Sequence, residues 1–222
     1  MRSIFTLLII ATVSVGSIAQ VDRTLVVEHY TNTLCSTCAA RNGALFELLD
    51  DYPEVLHISY HPSSPYSNCV FNLHNVAEND DRTNYYGIYG GTPRVVLQGE
   101  VIGFQNPILN AGNIEAQLGK ESNYMISISH EQTDADQVNV QVVVKLVGQQ
   151  SAQSHQLYTI IAEKKIDYNA PNGEDEHHNV FRKVLLDQAI SISTTGDSVV
   201  INTSYNIHSE WQDEELIVTA MI

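Results

Sequence analysis

Cysteine is scarce in this chain: there are three in 222 residues. A fold stapled together by disulfides needs far more, so the core must be hydrophobic. Positive charge is also in short supply. Eleven Lys and Arg stand against 26 Asp and Glu, for a formal net charge of −15. That argues against nucleic-acid binding, which needs clustered basic side chains. The acidity accounts for solubility and for weak repulsion from anionic surfaces. No segment beyond the N-terminus is apolar enough to span a bilayer as a helix. No internal repeat, low-complexity stretch, Ser-His-Asp arrangement, phosphate loop or paired-carboxylate signature stands out. No cofactor and no metal is expected.

What is present begins with a leader. Arg2 supplies positive charge, residues 4–10 an apolar core, and Ser17-Ile18-Ala19 a small-x-small cleavage site. Cleavage is expected after Ala19, leaving a start at Gln20. The protein is therefore expected to be exported, to the periplasm, the outer-membrane surface or the medium, where disulfides persist. At the other end the apolar pattern runs to Ile222, and a further C-terminal segment is expected to follow.

The remaining chain divides by periodicity. Residues 20–121 alternate strand and helix signals. Strands are expected over 24–30, 55–60, 94–98 and 100–104, and helices over 39–49, 73–86 and 108–118. A parallel first pair followed by a hairpin at Gly99 fits α/β packing. From residue 122 the period changes to two, as in Val138-Asn139-Val140-Gln141-Val142. Residues 122–222 therefore read as an antiparallel, immunoglobulin-like β-sandwich. One helical turn is expected within residues 170–186.

Chemistry concentrates at Cys35-Ser36-Thr37-Cys38, which follows an apolar strand and opens a helix. Far downstream, Gly90-Gly91-Thr92-Pro93 opens another strand. A C-x-x-C alone also suits a structural staple or half of a zinc site. In this context it reads as a thioredoxin-like redox site. A helix N-terminus lowers a thiol pKa, so Cys35 is the expected nucleophile and Cys38 the resolving thiol. Cys69 is a further thiol, read either as a buried small apolar group or as a neighbour of Cys35. Glu174-Asp175-Glu176-His177-His178 reads as a solvated acidic loop, with a weak divalent-metal site as the alternative. His57 and His61 read as packing or loop residues.

Residues 24–104 resemble a thioredoxin-fold domain. That resemblance implies a cis Thr92-Pro93 bond facing the cysteines, where a substrate strand would pair. It also implies a proton acceptor for Cys38 on the preceding strand, His29 or Glu28. These two point to opposite faces, so only one can serve, and counting back from Cys35 favours His29 with Glu28 close behind. The longer pattern includes Thr83-Asn84-Tyr85-Tyr86-Gly87-Ile88-Tyr89, Gly91-Thr92-Pro93-Arg94-Val95 and His177-His178-Asn179-Val180-Phe181-Arg182. It resembles the outer membrane protein 28-related family of Gram-negative bacteria, which joins a thioredoxin-like domain to an all-β half. Two departures stand out. Leu34 occupies the place where such enzymes usually carry Trp, and Ser36-Thr37 replaces a Gly-Pro-like pair. The resemblance implies an exported thiol–disulfide oxidoreductase acting on protein or peptide thiols and disulfides. The rival is a non-catalytic envelope interaction protein in which Cys35–Cys38 is a structural disulfide and the β-rich half meets a cell-envelope partner.

Overall fold

A computed structural model describes residues 20–88, 91–149 and 153–222. The expected leader, residues 1–19, lies outside them. The chain opens with β1 (Val21–Asp22), β2 (Val26–Tyr30), α1 (Ser36–Asp50) and β3 (Leu56–Tyr60). Next come α2 (Val70–Leu73), α3 (Val76–Tyr85), β4 (Arg94–Leu97), β5 (Glu100–Val101) and α4 (Ala111–Glu115). Strands then dominate: β6 (Glu121–Ser122), β7 (Tyr124–Gln132), β8 (Gln137–Leu146), β9 (Ser154–Asp167), β10 (Glu176–Ser191), β11 (Ser198–Asn206) and β12 (Leu216–Met221). The described molecule is mostly β, with few helices, arranged in several sheets.

Local chemistry sets the element ends. The helix expected over 73–86 is split, because Asn75 caps a new helix. Its Oδ1 accepts from the Glu78 N–H and its amide donates to the Glu78 carboxylate, which satisfies an otherwise orphaned donor. α3 stops at Gly87, whose φ of 64° is open to glycine at little cost. β4 and β5 turn through Gln98 and Gly99, both at positive φ, as a two-residue hairpin requires. The helix expected over 108–118 is confined to α4, which begins at an Asn110–Asn113 capping box.

The helical turn expected within 170–186 is not there. Residues 168–175 form the turn between β9 and β10, and β10 pairs with β9 along its whole length. The strands of the second half also do not keep to themselves. A seven-stranded sheet runs β12-β9-β10-β3-β2-β4-β5. Hydrogen bonding thus crosses the boundary expected at residue 122: β10 lies parallel to β3, with Val180 opposite Ser59. A three-stranded antiparallel sheet, β11-β8-β7, packs on the far end of this larger sheet.

The large sheet separates several apolar clusters. One face carries Val27, Val95 and Leu97 against Leu45 of α1 and Ile114 of α4. The other carries Tyr30, Ile58, Tyr60, Val96 and Phe181. β9 serves two cores by alternation. Leu157 and Ile161 face the smaller sheet, while Tyr158, Ile160 and Ala162 join the tyrosine-rich cluster.

Glu28 lies in that tyrosine-rich layer, 2% exposed. Arg82 of α3 grips it with two bonds of 2.6 and 2.8 Å, and the Tyr86 hydroxyl donates at 2.6 Å. The Arg82 guanidinium also stacks on Tyr158, 4.2 Å from the ring centroid. Removing one partner of such a pair leaves an uncompensated buried charge. Glu28→Ala is expected to lower the urea unfolding free energy by about 3–5 kcal/mol, with the Glu28→Leu/Arg82→Leu double variant recovering most of it. A loss below about 1 kcal/mol for the single variant would contradict this account.

Candidate redox site

The loop between β2 and α1 is shaped by Asn32. Its Oδ1 accepts from the Leu34 N–H, and its amide donates to the carbonyls of Pro62 and Tyr66. The Asn32 carbonyl then accepts from the Cys35 N–H at 3.0 Å. These bonds deliver Cys35 as the N-cap of α1. Its sulfur accepts from the Cys38 N–H at 3.0 Å. Cys35 and Cys38 are joined as a disulfide. Ser36 and Thr37 between them are exposed. The Cys35 sulfur lies 3.6 Å from the carbonyl oxygen of Thr92, and the Thr92-Pro93 peptide is cis. The two motifs read from the sequence therefore meet, although 57 residues separate them.

The strand parity of β2 decides between Glu28 and His29. Glu28 turns to the face of Tyr30 and Arg82, opposite α1, so it is not the group beneath the cysteines. Its carboxylate is already engaged by Arg82 and Tyr86. His29 turns to the α1 face and contacts Phe46, with ring centroids 6.1 Å apart. Burial, with His61 adding, pushes His29 down to about 3. A ring of such low basicity stays neutral near pH 7 and is a poor acceptor for a thiol proton. Cys69 is a buried free thiol at the start of α2. Its sulfur accepts from the Thr33 hydroxyl at 3.2 Å, two residues before Cys35.

The feature not foreseen is a cap. The β9–β10 turn lies across the β2–α1 loop. The Asn172 N–H donates to the Thr33 carbonyl at 3.1 Å. Its side-chain amide donates to the Asn32 and Cys35 carbonyls at 3.2 and 3.3 Å. Glu174 accepts from Asn42 of α1 at 2.7 Å and from Asn172 at 2.5 Å. Under this cap Cys35 is 2% exposed and Cys38 fully buried. The run at 174–178 is thus not simply a solvated loop, since Glu174 is an anchor. Glu176 does face outward, pairing with Lys165 and His178. His177 packs on Phe71 and His178 on Phe46.

Two other places gather polar side chains. A cavity of about 650 Å³ opens beside Glu28, Arg82 and Tyr158, with neither cysteine in its wall. His74, His208 and Glu210 bring ligand atoms within 4.8 Å of one another. However, the Trp211 indole N–H donates to His74 Nε2 at 2.9 Å. A neutral His74 then carries its proton on Nδ1, the atom facing Glu210, and cannot ligate there without changing tautomer.

Two outcomes are expected. Loosening the cap with Asn172→Ala/Glu174→Gln should speed reduction of the disulfide by dithiothreitol about tenfold, if the lost bonds hold it shut by roughly 1–2 kcal/mol. An unchanged rate would show that the cap does not limit access. The second concerns pH. Burial holds His57 and His61, like His29, below the usual histidine range. The unfolded chain binds protons below about pH 6.5 where the native state does not, so stability falls as pH drops. Each such histidine should contribute a slope of about 1.4 kcal/mol per pH unit between roughly pH 6 and 4. Urea titrations across that window should find the slope shallower by about one proton in His29→Gln; an unaltered slope would refute the assignment.

No protein-family model matches this chain, and no curated protein matches it. Among solved structures, it is similar to HBP35 of Porphyromonas gingivalis, with a TM-score of 0.69 and 17% identity. The match covers 90% of this chain and 69% of that one. At that identity the likeness bears on the fold alone, a mixed arrangement of sheets with few helices.

Proposed function

We propose that the chain is an exported thiol–disulfide oxidoreductase of thioredoxin-like fold, related in plan to the outer membrane protein 28-related family. The observation that carries this reading is the disulfide at the N-terminus of α1, with its Cys35 sulfur 3.6 Å from the Thr92 carbonyl beside the cis Thr92-Pro93 bond. An inert staple does not require this juxtaposition, whereas a substrate strand pairing beside Thr92 would place its own sulfur against Cys35.

The oxidised pair accepts two electrons. A substrate thiolate attacks the Cys35 sulfur and forms a mixed disulfide, and the Cys38 thiolate leaves and takes up a proton. A second substrate thiolate then attacks the substrate sulfur of the mixed disulfide. The substrate disulfide forms and Cys35 departs as a thiolate, favoured by the N-terminal dipole of α1. In reverse, the Cys35 thiolate attacks a substrate disulfide and Cys38 resolves it.

Burial of both sulfurs under the 168–175 turn favours the rival reading, an envelope interaction protein with a structural disulfide. The reduction potential separates the two. Equilibration in glutathione buffers, alkylation and mass spectrometry should place the pair between about −120 and −270 mV for a catalyst. A pair still oxidised below roughly −300 mV would mark a structural bond. Cys38→Ala should trap mixed disulfides through Cys35, and failure to trap any would count for the scaffold.

A further inference from the structure

Phe104, just beyond β5, is 64% exposed, yet it is held by two cations. The Arg41 guanidinium lies 4.6 Å from its ring centroid and that of Arg94 lies 4.9 Å away. Arg41 is in the second turn of α1, past Cys38. Arg94 follows Pro93 directly. The two segments that meet at the disulfide therefore meet again at this stack.

The stack places two guanidiniums on one exposed ring beside the disulfide. Arg82 and Arg182 each hold a buried glutamate. Arg41 and Arg94 have no carboxylate partner among the described residues, in a protein of formal net charge −15. Arg41 Nη1 is buried without a hydrogen-bond acceptor among the described residues, as is the Thr92 hydroxyl. Two guanidiniums on one ring repel each other, and an anion between them relieves that repulsion while supplying the missing acceptor.

We infer that Arg41, Arg94 and Phe104 form a substrate-selecting lip for the disulfide, recognising an acidic polypeptide segment that carries carboxylates beside its reacting cysteine. This rests on the oxidoreductase reading. A chain laid along Thr92 runs its next residues past Arg94 and Arg41. There, fork-shaped guanidiniums take carboxylates in two parallel bonds and Phe104 covers an apolar side chain. The acidic remainder of the surface repels such a segment, which confines its binding to the lip.

Two measurements on the chain from Gln20 test this. The first uses thiol-free peptides, one Glu-rich and one with Gln at the same positions, followed by NMR of the arginine Nε–H groups. The Glu peptide should give saturable shifts at Arg41 and Arg94 that the Gln peptide does not; their absence overturns the lip. The second uses dithiol peptides flanked by Glu or by Gln to reduce Cys35–Cys38. The Glu-to-Gln rate ratio should be about tenfold, fall to about one in Arg41→Gln/Arg94→Gln, and be only partly kept in Arg41→Lys/Arg94→Lys, which retains the charge without the fork. A ratio near one in the unmodified protein, or one that survives the Gln variant, overturns the proposal. If neither dithiol reduces the pair while the NMR shifts are present, the redox reading fails and the lip stands as an anion-recognising surface.

Discussion

The parallel pairing of β10 with β3 is short, registered at Val180 and Ser59, yet it decides where the β9–β10 turn goes. Parallel strands bury both faces, so β10 must present apolar groups on each side. Val180 packs with Phe71 and Cys69 on one side, and Phe181 with Tyr60 on the other. Asn179, at a φ of 49°, lies just before this point and places its amide 3.1 Å from His57 Nδ1. The turn preceding β10 then has only one place to lie, over the β2–α1 loop. A site built by the first half of the chain is thereby roofed by the second.

Two kinds of burial stabilise the layers around that join. The apolar clusters supply the larger share, because each buried aliphatic side chain is worth about 1.5–3 kcal/mol. Polar burial supplies geometry. Arg82 ties α3 to β2 through Glu28, and Arg182 on β10 grips Glu163 on β9. Glu163 also accepts from the Gln212 N–H at 2.6 Å, which fixes the approach to β12. Replacing such pairs with apolar groups is often neutral or stabilising, so their role here is to hold elements in register.

What the sequence revealed was what is local. Cys35, Cys38 and the Thr92-Pro93 strand entry carry their context within a few residues, and the Gly99 hairpin and the alternation of β8 are equally self-contained. Parity on β2 sets His29 and Glu28 on opposite faces, and counting back from Cys35 favours His29. That the ring is too weakly basic to take a thiol proton depends on burial, which parity does not encode. The long strand β10 was hidden by its mixture of polar and apolar residues, which becomes intelligible only with β9 alongside. The cap was hidden more deeply: Asn172 reaches Cys35 across 137 positions of chain, and no periodicity encodes such a bond. Phe104 falls at the end of the strand expected over 100–104, and nothing local to it signals the two arginines on its ring.

β9 is a party wall. Its odd positions furnish one room and its even positions another, with β12 continuing the wall on one side and β10 on the other. Because the side-chain period of a strand is two, a single inserted or deleted residue would turn each following side chain to the opposite room. Tyr158, fitted to Arg82, would then face the aliphatic core of β8, and Ile161 would face the tyrosines. Such a wall accepts a change of material at any one position far more readily than a change of length. Its length is in turn what keeps the Asn172 turn above Cys35.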